Sequence, residues 1–252
     1  MVKHLRLWAG PVLLALASSV TAQSSPRAYA VVSEVAREVS VVIYQESTGS
    51  LIGNNMRQRI AVPEDALDKV VLVGARQALQ KAEPGARIWL IAPTDTELFE
   101  GLQNATEGER VAIPADLAAA LRQNGSTHLL LFTRYRSDAQ LRGYKTMFGS
   151  GRLEGLGFYV DRHTPGYIPE TGDHIKGFLA PYTYFRATLI DAATAKVLHT
   201  RTIAKGVAVS SSETTAGKHA WDVWTPAQKM TSLRDMLMAE VAQVVAELAA
   251  AR

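Results

Sequence analysis

Apolar residues at Leu67, Val70, Val71, Gly74 and Ala78 recur at spacings of three and four, the period of one helical face. Pro63 with Glu64 and Asp65 opens this helix, where negative charge favours the positive end of the helix dipole, and Glu83-Pro84-Gly85 stops it just past Ala82. A second stripe, Met230, Leu233, Leu237, Val241, Val244 and Leu248, predicts a C-terminal helix with Thr225 as N-cap and Pro226 at its first position. Arg234, Asp235, Glu240 and Glu247 exclude that helix as a membrane span, so its apolar stripe is expected to pack on the sheet of its own domain.

Between the helical patterns the period changes to two. Val39, Val41 and Ile43 alternate with their neighbours just after a similar stretch at 29–35, which predicts one or two strands, and 57–62 predicts another. The runs 87–92 and 128–132 are nearly continuous in apolar residues, as expected of interior strands in a sheet covered on both faces. Pro114 and Asp116 open a helix between them that Asn124-Gly125 caps. Helix, strand, helix, strand in that order implies a crossover and at least one parallel strand pair. Residues 178–191 and 196–204 read as adjacent strands joined by a tight turn. The predicted fold is therefore α+β: a mixed sheet with a parallel pair, two or three packing helices including the C-terminal one, and a long Gly/aromatic β-hairpin at about 143–190.

The first residues change the picture from fold to address. Lys3, His4 and Arg6 precede an apolar run at 7–17, and Val20-Thr21-Ala22 supplies small residues where a signal peptidase reads. The run is shorter than the roughly 20 residues that a bilayer-spanning helix needs. Residues 1–22 are thus expected to be a secretory signal, and 23–252 a single exported domain, periplasmic if the host is Gram-negative. Without Lys3 and Arg6 the formal charge falls from +3 to +1, which gives no electrostatic grip on nucleic acid. The chain of 252 residues has no cysteine, which excludes thiol catalysis, cysteine-ligated zinc, iron–sulfur clusters and a cysteine-linked lipid anchor.

Within the hairpin region, 147–160 reads as a strand in which Gly149, Gly151, Gly155 and Gly157 share one parity. Alternate side chains of a strand point to opposite faces, so these glycines are expected to leave one face as nearly bare backbone. That predicts a docking surface for a ligand or another chain, with Arg152, Tyr159 and Tyr182 beside it; the internal alternative is that Tyr182 or Tyr184 lies over the glycines. The run 149–155 is no phosphate loop, because strand rather than helix follows it and no Gly-Lys-Ser/Thr is present.

Asp161, His163, Asp173 and His174 bracket a connection at 161–176 that also holds Pro165, Gly166, Pro169 and Gly172. Two imidazoles and two carboxylates make a nitrogen–oxygen set suited to zinc or manganese, which would be the centre of a metal-dependent hydrolase; a solvated turn is the alternative. His128 reads as a satisfied strand-end histidine, and nothing ties His199 or His219 to a nucleophile. Trp221 and Trp224 either seal the entrance of the last helix or offer exposed rings for sugar or peptide.

Three segments carry a resemblance: the helix at 67–79, the helix end, Asn-Gly turn and apolar strand at 121–132, and the strand, Asp-initiated turn and strand at 187–200. In these the chain resembles small exported accessory domains of cell-envelope machines, namely the N-terminal domain of the translocation protein TolB, the curli-secretion lipoprotein and the lipoprotein activators of penicillin-binding proteins. Many of that group are lipoproteins, an attachment that a cysteine-free chain lacks. The resemblance implies an exported α+β module and assigns no functional residue. The expected function is that of a non-enzymatic envelope protein, without cofactor, that binds a protein or cell-wall partner through the hairpin.

Overall fold

The computed structural model describes residues 26–35, 37–46, 55–62, 66–91, 102, 104–143, 145–168, 172–209 and 219–251, and of residues 168, 173 and 175 the backbone only. The signal at 1–22, the helix opening at 63–65 and Pro169 lie outside them.

Strand β1 (Ala28–Glu34) is followed by β2 (Glu38–Ile43) and β3 (Met56–Ala61), then by helix α1 (Ala66–Ala82) and β4 (Arg87–Ile91). Helix α2 (Ala115–Gln123) leads into β5 (His128–Arg134) and the short β6 (Arg136–Asp138), β7 (Leu141–Arg142) and β8 (Met147–Phe148). The long strands β9 (Arg152–Ile168) and β10 (Asp173–Asp191) precede β11 (Val197–Gly206), and helix α3 (Pro226–Ala250) closes the chain. The sheet runs β3-β2-β9-β10-β5-β1-β4, with β11 on β10 and β6 on β9. β1 lies parallel to both β4 and β5, the pairs that the alternation of helix and strand demands, and β2 lies parallel to β9. The fold is the α+β class expected, with the C-terminal helix among its three helices.

One expected placement is corrected. β4 forms an edge of this sheet among the described residues, and its Leu90 is 37% exposed. Its apolar run arises because Ile88 touches the core on one face and Ile91 the core on the other, at the rim of both.

Helices α1 and α3 cover one face of the sheet. Val71, Ala75 and Leu79 of α1 and Leu237, Val241 and Val244 of α3 bury against Val31, Leu130, Phe132, Phe158 and Leu189. Each such side chain contributes about 1.5–3 kcal/mol of burial. The helices approach closely at Gly74, where a Cβ would stand 3.0 Å from the sulfur of Met238. The opposite face is covered in two pieces. Leu117 and Leu121 of α2 lie over Ala30, Val32, Leu129 and Leu131, while Leu141 and Phe148 of the β7–β8 ribbon lie over Tyr159, Phe178, Tyr182 and Tyr184.

Thr225 and Gln228 form a capping box at the start of α3. Lys229 donates from Nζ to the Trp224 carbonyl at 2.6 Å and sits 4.1 Å from the Trp221 ring centroid, while that ring meets Phe158 edge-on at 5.6 Å. Both tryptophans pack against the core, so they seal the helix entrance and are not an exposed stacking platform. Among the described residues, no helix is long and apolar enough to cross a membrane.

Candidate functional site

The region 147–160 is not one strand. β8 ends at Phe148 and β9 begins at Arg152. Gly149 and Gly151 between them have φ of +105° and +73°, a left-handed backbone that turns the chain and that side chains rarely adopt. Gly155, at φ +64°, marks the point where β9 pairs with Tyr184 of β10 and its preceding residue turns to pair with Arg136 of β6. Only Gly157 is a glycine of an unbroken strand, and its place is filled from within. A Cβ there would collide with the Ser40 carbonyl oxygen and would stand 2.6 Å from the Tyr182 hydroxyl. The four glycines therefore serve two turns, one strand fork and one close internal crossing, and the bare face that strand parity predicts does not form.

The flanking side chains divide likewise. Tyr182 is fully buried, and burial pushes its hydroxyl well above the ordinary phenol value. Tyr159 is buried between Tyr44 and Phe178, with ring centroids 6.4 and 6.0 Å away, and its hydroxyl accepts from the Ser150 amide at 3.1 Å. Arg152 is exposed and stands 3.5 Å from Asp138, its cross-strand partner. Of the seven residues, Gly149 and Arg152 are open to solvent, Gly151 is half-exposed and the remaining four are interior.

Of the connection expected at 161–176, residues 161–168 and 173–176 are also strand. β9 and β10 continue as a two-stranded ribbon, in which Tyr167 pairs with His174 and Pro165 with Lys176. Gly177, at φ +82°, takes up the register shift between Lys176 and Phe178, and a Cβ on it would meet the Asp161 carbonyl at 2.5 Å. Asp161 is buried and engaged with its own chain, accepting from the amides of His163 at 2.7 Å and Thr164 at 2.8 Å and from the Thr164 hydroxyl at 2.7 Å. His163 stands 3.7 Å from Glu46, and His174 packs on Tyr167 with centroids 5.5 Å apart. Four residues of extended chain separate His163 from Tyr167, so the two imidazoles lie about 13 Å apart along the ribbon. The strand register thus sets the two imidazoles apart. Among the described residues, no three His, Asp or Glu side chains are grouped to hold a metal ion.

What the hairpin does build is a projecting end. The parallel partner β2 runs with β9 only to Ile43 opposite Val160, and on the other side β10 is last bridged at Leu179 by Val209. Beyond these points the ribbon strands pair only with each other among the described residues. Arg162, His163, Pro165, Tyr167, His174 and Lys176 are all exposed there, Tyr167 at 56%. The sequence carries no apolar alternation over this element, and Pro165, Gly166 and Gly172 read locally as a loop.

No family model matches the chain, and no curated protein is detectably similar to it. Among solved structures, the PelC dodecamer of Paraburkholderia phytofirmans is similar at 13% identity and TM-score 0.34, over 90% of each chain. A neuraminyllactose-binding hemagglutinin homolog from Helicobacter pylori is similar at 8% identity and TM-score 0.40, over 87% of this chain and 85% of that one. Lipoprotein GNA1162 from Neisseria meningitidis follows at 12% identity and TM-score 0.29, over 88% and 99%. At those identities and scores no residue role is carried over from them.

Proposed function

We propose that this chain is an exported accessory protein of the cell envelope that works by binding, and that the ribbon end of hairpin β9–β10 is the part that holds its partner. Export rests on the signal pattern of residues 1–22. The observation that supports the ribbon is that, among the described residues, 162–168 and 173–177 pair with no third strand, while Tyr167 and His174 lie exposed side by side. Open strand edges are templates for another chain, which favours a protein partner over a glycan. Two-stranded ribbons are marginal by themselves, so a docked partner also stabilises the element that recognises it.

The test is a photo-crosslinking residue at position 167, with one at exposed Met230 as control, in cells separated into cytosolic and envelope fractions. A discrete protein adduct at 167, absent at 230 and confined to the envelope fraction, is the expected result. Identical adducts at both positions, or none at 167, would remove the ribbon; recovery of the chain in the cytosol would remove export.

A further inference from the structure

At the opposite end of the sheet, three adjacent strands and the residue before a fourth form a cross-strand row on the face that carries α1 and α3. Tyr29 of β1 pairs with His128 of β5, His128 with Asp191 of β10, and the Asp191 amide donates to the carbonyl of Lys196, which immediately precedes β11. One position further in, Leu189 pairs with His199. Above this row lie the C-terminal ends of α1 and α3, which Arg27 bridges through Nη1, donating to Glu83 at 3.0 Å, to the Tyr29 hydroxyl at 3.1 Å and to the Ala249 carbonyl at 3.5 Å.

The space between is a half-open crevice of about 410 Å³ whose walls include Arg27, His128, Leu189, Lys196, Leu198 and His199. That volume falls in the range of small-molecule sites, about 300–1,000 Å³, as does the mixture of apolar walls with a few polar groups. The charges are unevenly committed. Glu83 is held by Arg27 and by the Tyr29 hydroxyl at 2.8 Å. Asp191 turns Oδ1 to the amides of Ala193 and Thr194 and to the Thr194 hydroxyl. Glu107, 3.9 Å from His199, accepts from the Thr200 amide at 2.9 Å and faces Arg201 at 3.5 Å. His128 meets the Thr127 hydroxyl through Nδ1 at 2.8 Å, which leaves Nε2 as its uncommitted nitrogen. The Lys196 ammonium makes no ion pair among the described residues.

We infer that this crevice binds a small apolar monocarboxylate, with Lys196 and the imidazole edges of His128 and His199 holding the carboxylate and Leu189 and Leu198 receiving the apolar part. Among the described residues that line the crevice, Arg27 is paired with Glu83 and Lys196 is the cation without an ion pair, which suits a monoanion; a phosphate dianion would bring more charge than those walls balance. The site is separate from the ribbon end and does not depend on the role proposed for it.

Calorimetric titration of the purified chain with hexanoate, 1-hexanol and inorganic phosphate tests the inference. Saturable one-to-one binding of hexanoate is expected, with hexanol and phosphate each at least about tenfold weaker, and with Lys196→Met lowering hexanoate affinity about tenfold, the worth of one charge-assisted contact. Lys196 is exposed, so the variant folds. A second readout needs no variant: hexanoate shifts the Cε1–H resonances of His128 and His199 and leaves those of His163 and His174 unmoved. Absent saturation, hexanol binding as well as hexanoate, phosphate binding more tightly, an unaltered Lys196→Met, or movement of all four histidines would each overturn it.

Discussion

Strand β10 is held very differently along its length. From Phe185 to Ile190 it lies between β5 and β11, with Phe185, Ala187 and Leu189 buried under α1 and α3 and Ile190 under α2. From residue 173 to 177 it has β9 beside it and, among the described residues, no other strand. Both stretches are extended, and backbone pairing to one neighbour is enough for that. Burial, which supplies the stability, requires a second neighbour and a covering layer. The inner stretch is therefore held by the core of the fold, while the outer stretch has backbone pairing to one neighbour without that covering layer.

The largest expected effect probes that contrast directly. Phe185→Ala removes a fully buried ring that meets Phe132 at 6.0 Å, and urea unfolding should show a loss of about 3–5 kcal/mol. Tyr167→Ala on the ribbon should stay within about 0.5 kcal/mol of the parent. Comparable losses at the two positions would mean that the ribbon is packed against something and would end the comparison.

Helices α1 and α3 and strand β5 were readable because their apolar residues follow one period throughout, and each buries a single continuous face or lies between two neighbours. The hairpin was harder for a reason of the same kind. Strand parity holds only while φ stays extended, and nothing in the letters of Gly149, Gly151 and Gly155 separates a flat strand glycine from one at positive φ. In the ribbon, Pro165 and Gly172 argue for a loop by local preference. Proline nonetheless fits a strand whose outer edge is unpaired, because its missing N–H has no partner to lose there. The crevice at the other end escaped the sequence altogether: Tyr29, His128 and Asp191 come from three strands and Lys196 immediately precedes a fourth, and only the register aligns them.

Glycine substitution sharpens the same contrast at a smaller scale. At Gly157 an added methyl meets the Ser40 carbonyl and the Tyr182 ring together, so Gly157→Ala should cost about 1–3 kcal/mol. Gly172, at φ +77°, has nothing closer than the Tyr167 hydroxyl at 4.0 Å, and Gly172→Ala should cost only the backbone term of about 1 kcal/mol. Thermal melting of the two variants side by side checks the order.

Asp191 holds the turn into β11 with its side chain, accepting from the amides of Ala193 and Thr194 and from the Thr194 hydroxyl. The Thr194 hydroxyl, followed by the amides of Thr194 and Ala193, holds the Asp191 carboxyl below its usual range. A carboxyl lowered in the folded chain contributes stability that is complete above its unfolded value of about 3.9 and is lost as pH falls through the lower folded value. Asp191→Ala should therefore cost about 1 kcal/mol at neutral pH and progressively less in urea melts taken below about pH 4.

The smallest effect concerns His128, at the end of the sheet remote from the ribbon. Burial, and after it the nearby Arg27 cation, push its imidazole below the ordinary value, while Asp191 and Glu83 pull the other way. Between the lowered folded value and the unfolded value of about 6.5 the unfolded chain holds more protons, so stability falls as pH falls across that interval and levels off beneath it. The proton NMR titration of His128 should have its midpoint below about 6.5. His128→Gln should flatten the acid side of the stability profile relative to the parent. A slope unchanged by His128→Gln would mean that the ring is not held neutral by burial.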